Sequence, residues 1–490
     1  MSEHFDVVIA GAGISGIGSA YHLKHQCPEK SFLVLEALES FGGTWLMHNY
    51  PGIRSDSDLH TFGYRFKPWI GPPIATGAEI LDYMGDVIEE NDLARHIRYQ
   101  HKITSAAFSR ETNLWTVECE RTDTGERRVF TCNFLWMCQG YYEHAKGYTP
   151  DWPGMKDYKG QIVHPQTWPK DIDLKDNQVL VIGSGATTAT VVPAIANDCK
   201  HVTVLQRSPT YFIPGRNINE LVEMLRTIGV DEVTIHDIAR KKILYDQDQF
   251  TKRSFEDPEP LREELLAGVR MFLGPDYDMT HFTPRYRPWR QRIAFVPDGD
   301  LFQGIAAGKA TMVTDEIDRF TEGGVLLKSG QELKADIIVT ATGFNLSVLG
   351  GIPFSVDGES VDFSKTVTYR GMMFTGVPNM VWVFGYFRAS WTLRVDLLGD
   401  FVCRLLKHMD EKGVRRVEVA IREAERNMEI RPWIDPENFN PGYLMRRMNL
   451  LPQRGSKYEW QHTQDYWREK DEFPAIDLSG DEFRYGASGK

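Results

Sequence analysis

Two short segments of the chain carry glycines at the spacing of a dinucleotide-binding turn. In the first, Gly11, Gly13 and Gly16 follow the strand-like run FDVVIA and open a helical pattern. The first glycine of such a turn permits the sharp bend, the second lets the backbone approach a pyrophosphate, and the third allows close helix–strand packing. The N-terminus of the following helix then faces the phosphates with its partial positive charge.

The residues after this turn favour FAD as its ligand. Glu36 ends the next strand-like run, 20 residues past Gly16. A carboxylate there accepts hydrogen bonds from ribose hydroxyls and repels a 2′-phosphate, which leaves FAD or NAD. A Gly-Gly turn follows at residues 42–43, as is common in flavoproteins that bind two nucleotides, and it favours FAD. Further cofactor contacts are predicted at Gly43, Thr44 and Trp45.

The second segment differs at the positions that select the nucleotide. Gly183 and Gly185 keep two of the three glycines, with Thr188 at the third position. At the end of the following strand, HVTVLQ, Gln206 replaces the carboxylate and Arg207 comes next. Loss of the carboxylate removes repulsion, and a guanidinium binds phosphate bidentately, so this site is predicted to take NADPH. Thr187 and Ser208 complete the predicted contacts.

Strand, glycine turn, helix and strand in succession make the βαβ unit of a Rossmann-type fold, and this unit occurs twice. The fold class is therefore predicted as α/β, with two Rossmann-like dinucleotide-binding domains, one inserted in the other. Residues 1–147 and 338–490 are assigned to an FAD-binding domain, and 148–337 to an NADPH-binding domain. Residues from about 216 to 290 indicate a helical subdomain, which either covers an active-site mouth or faces solvent.

Composition is that of an ordinary globular protein, with 42% hydrophobic and 25% charged residues. The net charge of -12 argues against nucleic acid or an anionic membrane as partner. No segment reads as a signal peptide or a membrane span. The six cysteines are scattered without CxxC or metal-ligand spacing, so no metal site is predicted and a cytoplasmic location is expected.

Two longer motifs make the chain resemble a known family, the type I Baeyer–Villiger monooxygenases of the class B flavoprotein monooxygenases. Their fingerprint F-x-G-x-x-x-H-x-x-x-W-P/D is matched with tyrosine in place of the first phenylalanine. The matching residues are Tyr158, Gly160, His164, Trp168 and Pro169. A second family pattern, with a Gly-Gly-x-Trp start, is matched from residue 42 to Asp56. Segments such as HPQTWP and GSGATT are most similar to the ethionamide-activating subgroup.

This resemblance implies an arginine above the flavin and an aspartate that orients it. The second pattern places the aspartate at Asp56, and alignment of PWRQRIAFVPDGDLF selects Arg292, with Arg290 as the rival. The family often has a lysine just before this arginine that helps hold the nucleotide. Gln291 stands there in this chain, which leaves more of the binding to Arg207. The fingerprint residues are implied to form a linker, or hinge, between the two domains.

The family's chemistry implies that NADPH reduces FAD and that the reduced flavin reacts with O₂ to give a C4a-peroxide. Arg292 would stabilise the peroxy anion while Asp56 holds the guanidinium in place. A ketone would yield an ester or lactone, and a sulfide or thioamide would be oxidised at sulfur. These small substrates and O₂ are the only partners implied, with no obligate protein partner.

Other functions of a doubled nucleotide fold are less consistent with the sequence. A disulfide reductase needs a CxxxxC pair near the first Gly-Gly turn, and GGTWLMHNY has none. An animal-type flavin N/S-oxygenase shares most of these motifs and stays an alternative, although its fingerprint lacks the Trp-Pro ending. An NADPH-dependent flavin reductase that does not oxygenate stays open. A protein without catalysis would have little use for two nucleotide turns together with the linker motif.

Overall fold

The computed structural model describes residues 3–486. Numbered along the chain, its α-helices are α1 (Ile14–Gln26), α2 (Thr44–Met47), α3 (Leu59–Phe62), α4 (Gly77–Glu90), α5 (Ala186–Ile195), α6 (Glu220–Thr227), α7 (Glu232–Glu256), α8 (Pro258–Leu273), α9 (Asp300–Ala306), α10 (Trp391–Glu411), α11 (Gly442–Met445) and α12 (Tyr466–Glu472). Within the described part, no helix has both the length and the apolar character needed to cross a membrane.

The largest sheet contains nine strands and carries the first glycine turn. Its strands are β1 (Glu3–Ala10), β2 (Phe32–Leu35), β3 (Ile97–Arg98), β4 (His101–Ser109), β5 (Leu114–Arg121), β6 (Arg127–Met137), β17 (Phe354–Val356), β18 (Glu359–Ser360) and β21 (Met380–Trp382). The order is β18-β17-β4-β5-β6-β1-β2-β3, with β21 beside β6. Val7 and Ile9 of β1 face one hydrophobic cluster, and Val8 and Ala10 face another. Burial on both faces explains the continuous apolar run in this strand.

A second sheet, parallel throughout, carries the second glycine turn. Its strands are β7 (Gln161–Val163), β8 (Gln178–Ile182), β9 (His201–Gln206), β12 (Ala310–Thr314) and β16 (Ile337–Thr340), in the order β12-β9-β8-β16-β7. The boundary predicted at residue 338 falls inside β16, where Ile338 pairs with Leu180 of β8. The chain therefore leaves this sheet after Thr340, because the pairing with β8 continues to that residue.

Smaller sheets complete the structure. They pair β10 (Phe212–Gly215) with β11 (Ala294–Pro297), β13 (Ile317–Thr321) with β14 (Gly324–Leu327) and β15 (Glu332–Lys334), β19 (Thr368–Tyr369) with β20 (Met373–Phe374), β22 (Arg416–Val419) with β25 (Phe483–Gly486), and β23 (Ile430–Pro432) with β24 (Gln453–Gly455). The hairpin β14–β15 is followed by β16 of the five-stranded sheet, and the hairpin β4–β5 is followed by β6 of the nine-stranded sheet. The two units therefore share this order of elements.

The helical region between residues 216 and 290 does not face solvent throughout. Arg240 of α7 is buried and donates to the carbonyl oxygens of His60 (2.9 Å) and Gly63 (3.0 Å). His236, one turn earlier, is also buried and lies 3.2 Å from the carbonyl oxygen of Tyr64. The first half of α7 therefore packs on the segment around α3 along one face, while most of the helix is not buried.

Candidate active site

The first glycine turn has the geometry that its sequence predicts. Gly11 has φ +100°, and a Cβ at Gly16 would lie 1.8 Å from the carbonyl oxygen of Gly11, so neither position accepts a side chain without strain. Gly13 caps the N-terminus of α1. The Gly-Gly turn lies against it, since a Cβ at Gly43 would be 3.2 Å from the Gly13 Cα atom. Thr44 and Trp45 begin α2 directly after this turn.

Glu36 is held beside this turn in an orientation that suits a ribose. Its Oε2 accepts a hydrogen bond from the Ala12 amide (2.7 Å), and its Oε1 accepts one from the Leu38 amide (2.9 Å). Burial raises the pKa of the Glu36 carboxyl, and these backbone donors oppose the rise. Each carboxylate oxygen retains acceptor capacity for a ribose hydroxyl. The residues of the turn therefore fit the adenosine half of FAD.

The second turn resembles the first in backbone and differs at its third glycine. Gly183 has φ +132°, and a Cβ there would lie 2.3 Å from the carbonyl oxygen of Ala341. Gly185 caps α5, and a Cβ at this position would meet nothing within 4 Å. Thr188 is buried at the third position. The open space at Gly185 fits a nucleotide phosphate approaching the backbone.

The strand after the second glycine turn is followed by a positively charged residue, whereas the strand after the first turn is followed by a negatively charged one. Gln206 is buried and turned inward, where its Nε2 donates to the carbonyl oxygen of His281 (2.6 Å) and to Thr314 Oγ1 (2.9 Å). Arg207 and Ser208 follow it and are exposed. Because Gln206 carries no negative charge, it does not repel a 2′-phosphate at the end of β9. The guanidinium of Arg207, the next residue, is available to bind that phosphate.

Arg292 and Asp56, distant in sequence, form an ion pair with Nη2 and Oδ2 2.7 Å apart. Both side chains are about one-third exposed, at 35% and 33%. Burial by itself would lower the pKa of the Arg292 guanidinium, but Asp56 and nearby tyrosine hydroxyls raise it above its usual value. Arg290 instead pairs with Glu437 at 3.0 Å. Of the two arginines considered, Arg292 is the one that contacts Asp56.

Three tyrosines adjoin this pair and were not predicted from the sequence. The hydroxyls of Tyr141 and Tyr142 lie 2.6 Å apart, and the Tyr443 ring packs against both. Burial raises the pKa of all three, and the charge of Arg292 opposes the rise at Tyr142 and Tyr443. Two of these tyrosines form a Tyr-Tyr pair just after Gly140, a signal that was available. Tyr443 lies in α11, in a segment without informative periodicity.

Comparison with known proteins identifies the family. A model described as flavin-binding monooxygenase-like matches residues 71–221, and one described as an NAD(P)-binding Rossmann-like domain matches residues 9–69. The FAD-containing monooxygenase EthA of Mycobacterium tuberculosis is 44% identical over 477 residues, covering 96% of this chain and 95% of that protein. The probable FAD-binding monooxygenase AlmA of an Acinetobacter species is 42% identical over 474 residues, covering 96% and 94%.

The chain belongs to the family of FAD-containing monooxygenases. Its fold is also that of an oxidised steroid monooxygenase bound to NADP (TM-score 0.78, 22% identity, 99% of this chain and 100% of that chain). An open cyclohexanone monooxygenase gives a TM-score of 0.76 at 20% identity, again over 99% and 100% of the two chains. The predicted flavoprotein monooxygenase family, its FAD cofactor and the α/β fold with Rossmann-like units are confirmed.

In this monooxygenase His164 of the fingerprint lies where the chain crosses between the two large sheets. Its Nδ1 accepts from the Gln166 amide (3.1 Å), so Nε2 carries the proton and donates to the carbonyl oxygen of Gly343 (3.2 Å). The ring also lies against Gly147, where an added Cβ would be 2.0 Å from it. Burial lowers the pKa of His164, and its bonds to backbone carbonyls oppose the change. His164 thus contacts both segments that connect the two large sheets, one at Gly147 and the other at Gly343.

The other fingerprint residues of the monooxygenase are packed into the second unit. Tyr158 donates to the carbonyl oxygen of Ala335 (2.9 Å), and a Cβ at Gly160 would lie 2.3 Å from that of Asp336. Trp168 is buried in the same hydrophobic cluster as Tyr50, which belongs to the segment leading to Asp56. Pro169 follows Trp168 and is half-buried. Packing is therefore a substantial part of what these residues do.

A small cavity lies between the two units of the monooxygenase. Its lining includes His48, Tyr50, His164, Thr187, Gly343 and Phe344. Thr187, predicted as a nucleotide contact, therefore reaches the surface that faces the first unit. Burial, together with His144 and His164, lowers the pKa of His48 to about 4, so this imidazole is neutral at physiological pH.

Proposed function

We propose that this monooxygenase binds FAD at the first glycine turn and NADPH at the second, and inserts one oxygen atom from O₂ into a ketone or a sulfide. A ketone would give an ester or lactone, and a sulfide or thioamide would gain oxygen at sulfur. The observation that carries the proposal is the Arg292–Asp56 ion pair at 2.7 Å, in a chain with two nucleotide turns of opposite charge character. The steroid and cyclohexanone monooxygenases that share the fold support the ketone as a substrate.

The chain's own residues bind and orient the two nucleotides. Glu36 accepts the ribose hydroxyls of FAD through its remaining acceptor sites, and Gly13 lets the pyrophosphate approach the N-terminus of α1. Gly185 does the same for NADPH at α5, with Arg207 toward the 2′-phosphate. When bound, FAD supplies the electron transfer from NADPH and the activation of O₂.

Arg292 stabilises negative charge that develops on oxygen during the reaction. Its guanidinium is fixed by Asp56 and keeps its charge, because its pKa lies above the usual value. A preorganised charge in a partly water-excluded site stabilises such an anion more strongly than the same charge in water. Asp56 is a positioning residue in this proposal, since it acts through the guanidinium that it holds.

The test is to incubate the FAD-loaded protein with NADPH and ¹⁸O₂ in the presence of a panel of ketones and sulfides. One labelled oxygen atom in an ester, lactone or sulfoxide is expected. NADPH consumption that yields only hydrogen peroxide with every substrate would favour the non-oxygenating flavin reductase instead. A preparation that stays colourless after addition of FAD would contradict both functions.

Replacing Arg207 with alanine is expected to raise KM for NADPH about tenfold, equivalent to about 1.4 kcal/mol, and to leave KM for NADH within twofold. The reason is that only NADPH carries a 2′-phosphate for the guanidinium, which is exposed. Steady-state kinetics with both nucleotides make the measurement. Equal losses with NADPH and NADH would show that Arg207 serves the fold and not the phosphate.

Replacing His164 with alanine is expected to slow flavin reduction and increase hydrogen peroxide release without lowering the melting temperature. His164 bonds to Gly343 at one crossing and packs on Gly147 at the other, so its loss loosens the linker that must bring nicotinamide to flavin. Stopped-flow absorbance and thermal unfolding make the comparison.

Trp168→Ala is the matched variant for a packing role. Removing this buried ring is expected to cost about 3–5 kcal/mol of unfolding free energy. If His164→Ala lowers the melting temperature as Trp168→Ala does, and leaves the reduction rate unchanged, the linker role is wrong for His164.

A further inference from the structure

Arg446 directly follows α11, in the C-terminal part of the chain, and reaches across to the second nucleotide turn. Its guanidinium lies 3.5 Å from the ring centroid of Tyr148, and Nη2 lies 3.4 Å from the carbonyl oxygen of Phe344. Nη2 is also 3.5 Å from where a Cβ on Gly343 would be. Stacking on Tyr148 holds the guanidinium plane in one orientation. The side chain therefore lies on the turn that follows β16.

The turn after β16 is in contact with the glycine turn of the second nucleotide site. A Cβ on Gly183 would lie 2.3 Å from the carbonyl oxygen of Ala341, two residues before Gly343. Gly183 and Gly185 open α5, where the proposed NADPH phosphates approach the backbone. Arg446 is thus placed at the side of this nucleotide site, although it comes from a segment that no nucleotide motif includes.

Arg446 follows α11 and Arg207 follows β9, and both side chains are exposed at the second nucleotide unit. Although the Arg446 side chain is exposed, desolvation lowers the pKa of its guanidinium, Tyr148 opposes this change, and the charge of Arg207 adds to it. Among residues 3–486, neither guanidinium forms an ion pair with a carboxylate. Glu316, whose pKa Arg207 helps to lower, is itself paired with Lys328 at 2.5 Å. Two like charges, neither of them in an ion pair within this part of the chain, are a site that an anion would stabilise.

We propose that Arg446 is a second cationic ligand of the NADPH 2′-phosphate, together with Arg207. The inference rests on the proposed function, which puts NADPH at this turn. α11 also carries Tyr443, whose hydroxyl is affected by the charge of Arg292. One short helix therefore positions both Arg446, at its C-terminal end, and a neighbour of Arg292.

The test is calorimetric titration of the oxidised, FAD-loaded protein with NADP⁺ and with NAD⁺, which needs no turnover. Arg446→Ala is expected to raise Kd for NADP⁺ about tenfold and to change Kd for NAD⁺ less than twofold. Arg447→Ala is the matched control, because it removes an equal charge from the next residue, which is exposed as Arg446 is but makes no contact with Tyr148 or Phe344 among the described residues. It is expected to change neither Kd more than twofold. Arg446→Gln, which keeps a polar side chain but removes the charge, should behave as Arg446→Ala does.

Three results would overturn the role of Arg446. The first is an unchanged Kd for NADP⁺ in Arg446→Ala. The second is an equal loss of affinity for NADP⁺ and NAD⁺ in that variant, which would indicate a role at the pyrophosphate or in the fold. The third is an equal loss of NADP⁺ affinity in Arg447→Ala, which would indicate an effect of net charge alone. Failure of the proposed function is distinguishable from these. It would appear in the wild-type protein, as equal Kd values for NADP⁺ and NAD⁺.

Discussion

Arg292→Ala is expected to reduce kcat/KM for ester formation from a ketone by about 10²–10³-fold, while FAD is still reduced by NADPH. Attack on a ketone places negative charge on oxygen, and the guanidinium held by Asp56 at 2.7 Å is the fixed positive charge available to it. Oxygen transfer to an electron-rich sulfur develops no such anion. Sulfide oxidation by Arg292→Ala is therefore expected to fall less than ester formation.

Arg290→Ala provides the matched control for this prediction. Arg290 is two residues away and carries the same charge, but it pairs with Glu437 at 3.0 Å instead of Asp56. Product analysis with one ketone and one sulfide, together with anaerobic stopped-flow reduction, measures both steps. Arg290→Ala is expected to stay within twofold of wild type. If it loses ester formation and Arg292→Ala keeps it, the assignment of the arginine is wrong.

Asp56→Asn should give an intermediate loss of ester formation. The asparagine keeps a hydrogen-bond acceptor for the guanidinium but removes the charge that fixes it. The double variant with Arg292→Ala should be no worse than Arg292→Ala alone, since Asp56 acts through that side chain. Additive losses would show that Asp56 has a separate contact with the reacting groups.

The parts of the fold that local sequence dictates were predictable. Both βαβ units follow from apolar runs bounded by glycines, because such strands are buried on both faces and such turns need positive φ. Gln206 and Arg207 were predicted as a departure from an acidic strand end, but the inward turn of Gln206 depends on His281 and Thr314, which tertiary packing brings there. The position of α7 depends in the same way on buried hydrogen bonds to distant backbone carbonyls.

The site was predictable only where a family pattern named its residues. The Arg292–Asp56 contact joins two segments whose proximity no local pattern reveals, and the resemblance supplied it. Tyr443 and Arg446 come from a polar segment with no motif, so their approach to Arg292 and to Gly343 needed the structure. The predicted boundary at residue 338 falls inside β16, because the sequence shows where a strand runs but not which neighbour it pairs with.

Gly13→Ala is expected to fold normally and yet to raise Kd for FAD at least about 100-fold. Gly13 has φ -75° and ψ -175°, which alanine adopts without strain, and a Cβ there would be 3.7 Å from the Gly43 Cα atom, an ordinary contact. The protein itself therefore accepts the methyl group. The proposed pyrophosphate does not, because its binding requires backbone within hydrogen-bond distance at this position.

Two further glycine variants separate cofactor binding from folding. Gly16→Ala would place its Cβ 1.8 Å from the carbonyl oxygen of Gly11, so it should lower the melting temperature of the FAD-free protein as well as FAD affinity. Gly304→Ala, in α9, meets only the Ala196 Cβ at 3.9 Å, so it should leave FAD affinity unchanged and should not lower the melting temperature. Flavin fluorescence titration and thermal unfolding of FAD-free protein provide the two readouts. A wild-type Kd for FAD in Gly13→Ala would mean that the pyrophosphate does not pass this glycine, and the assignment of FAD to the first turn would have to be abandoned.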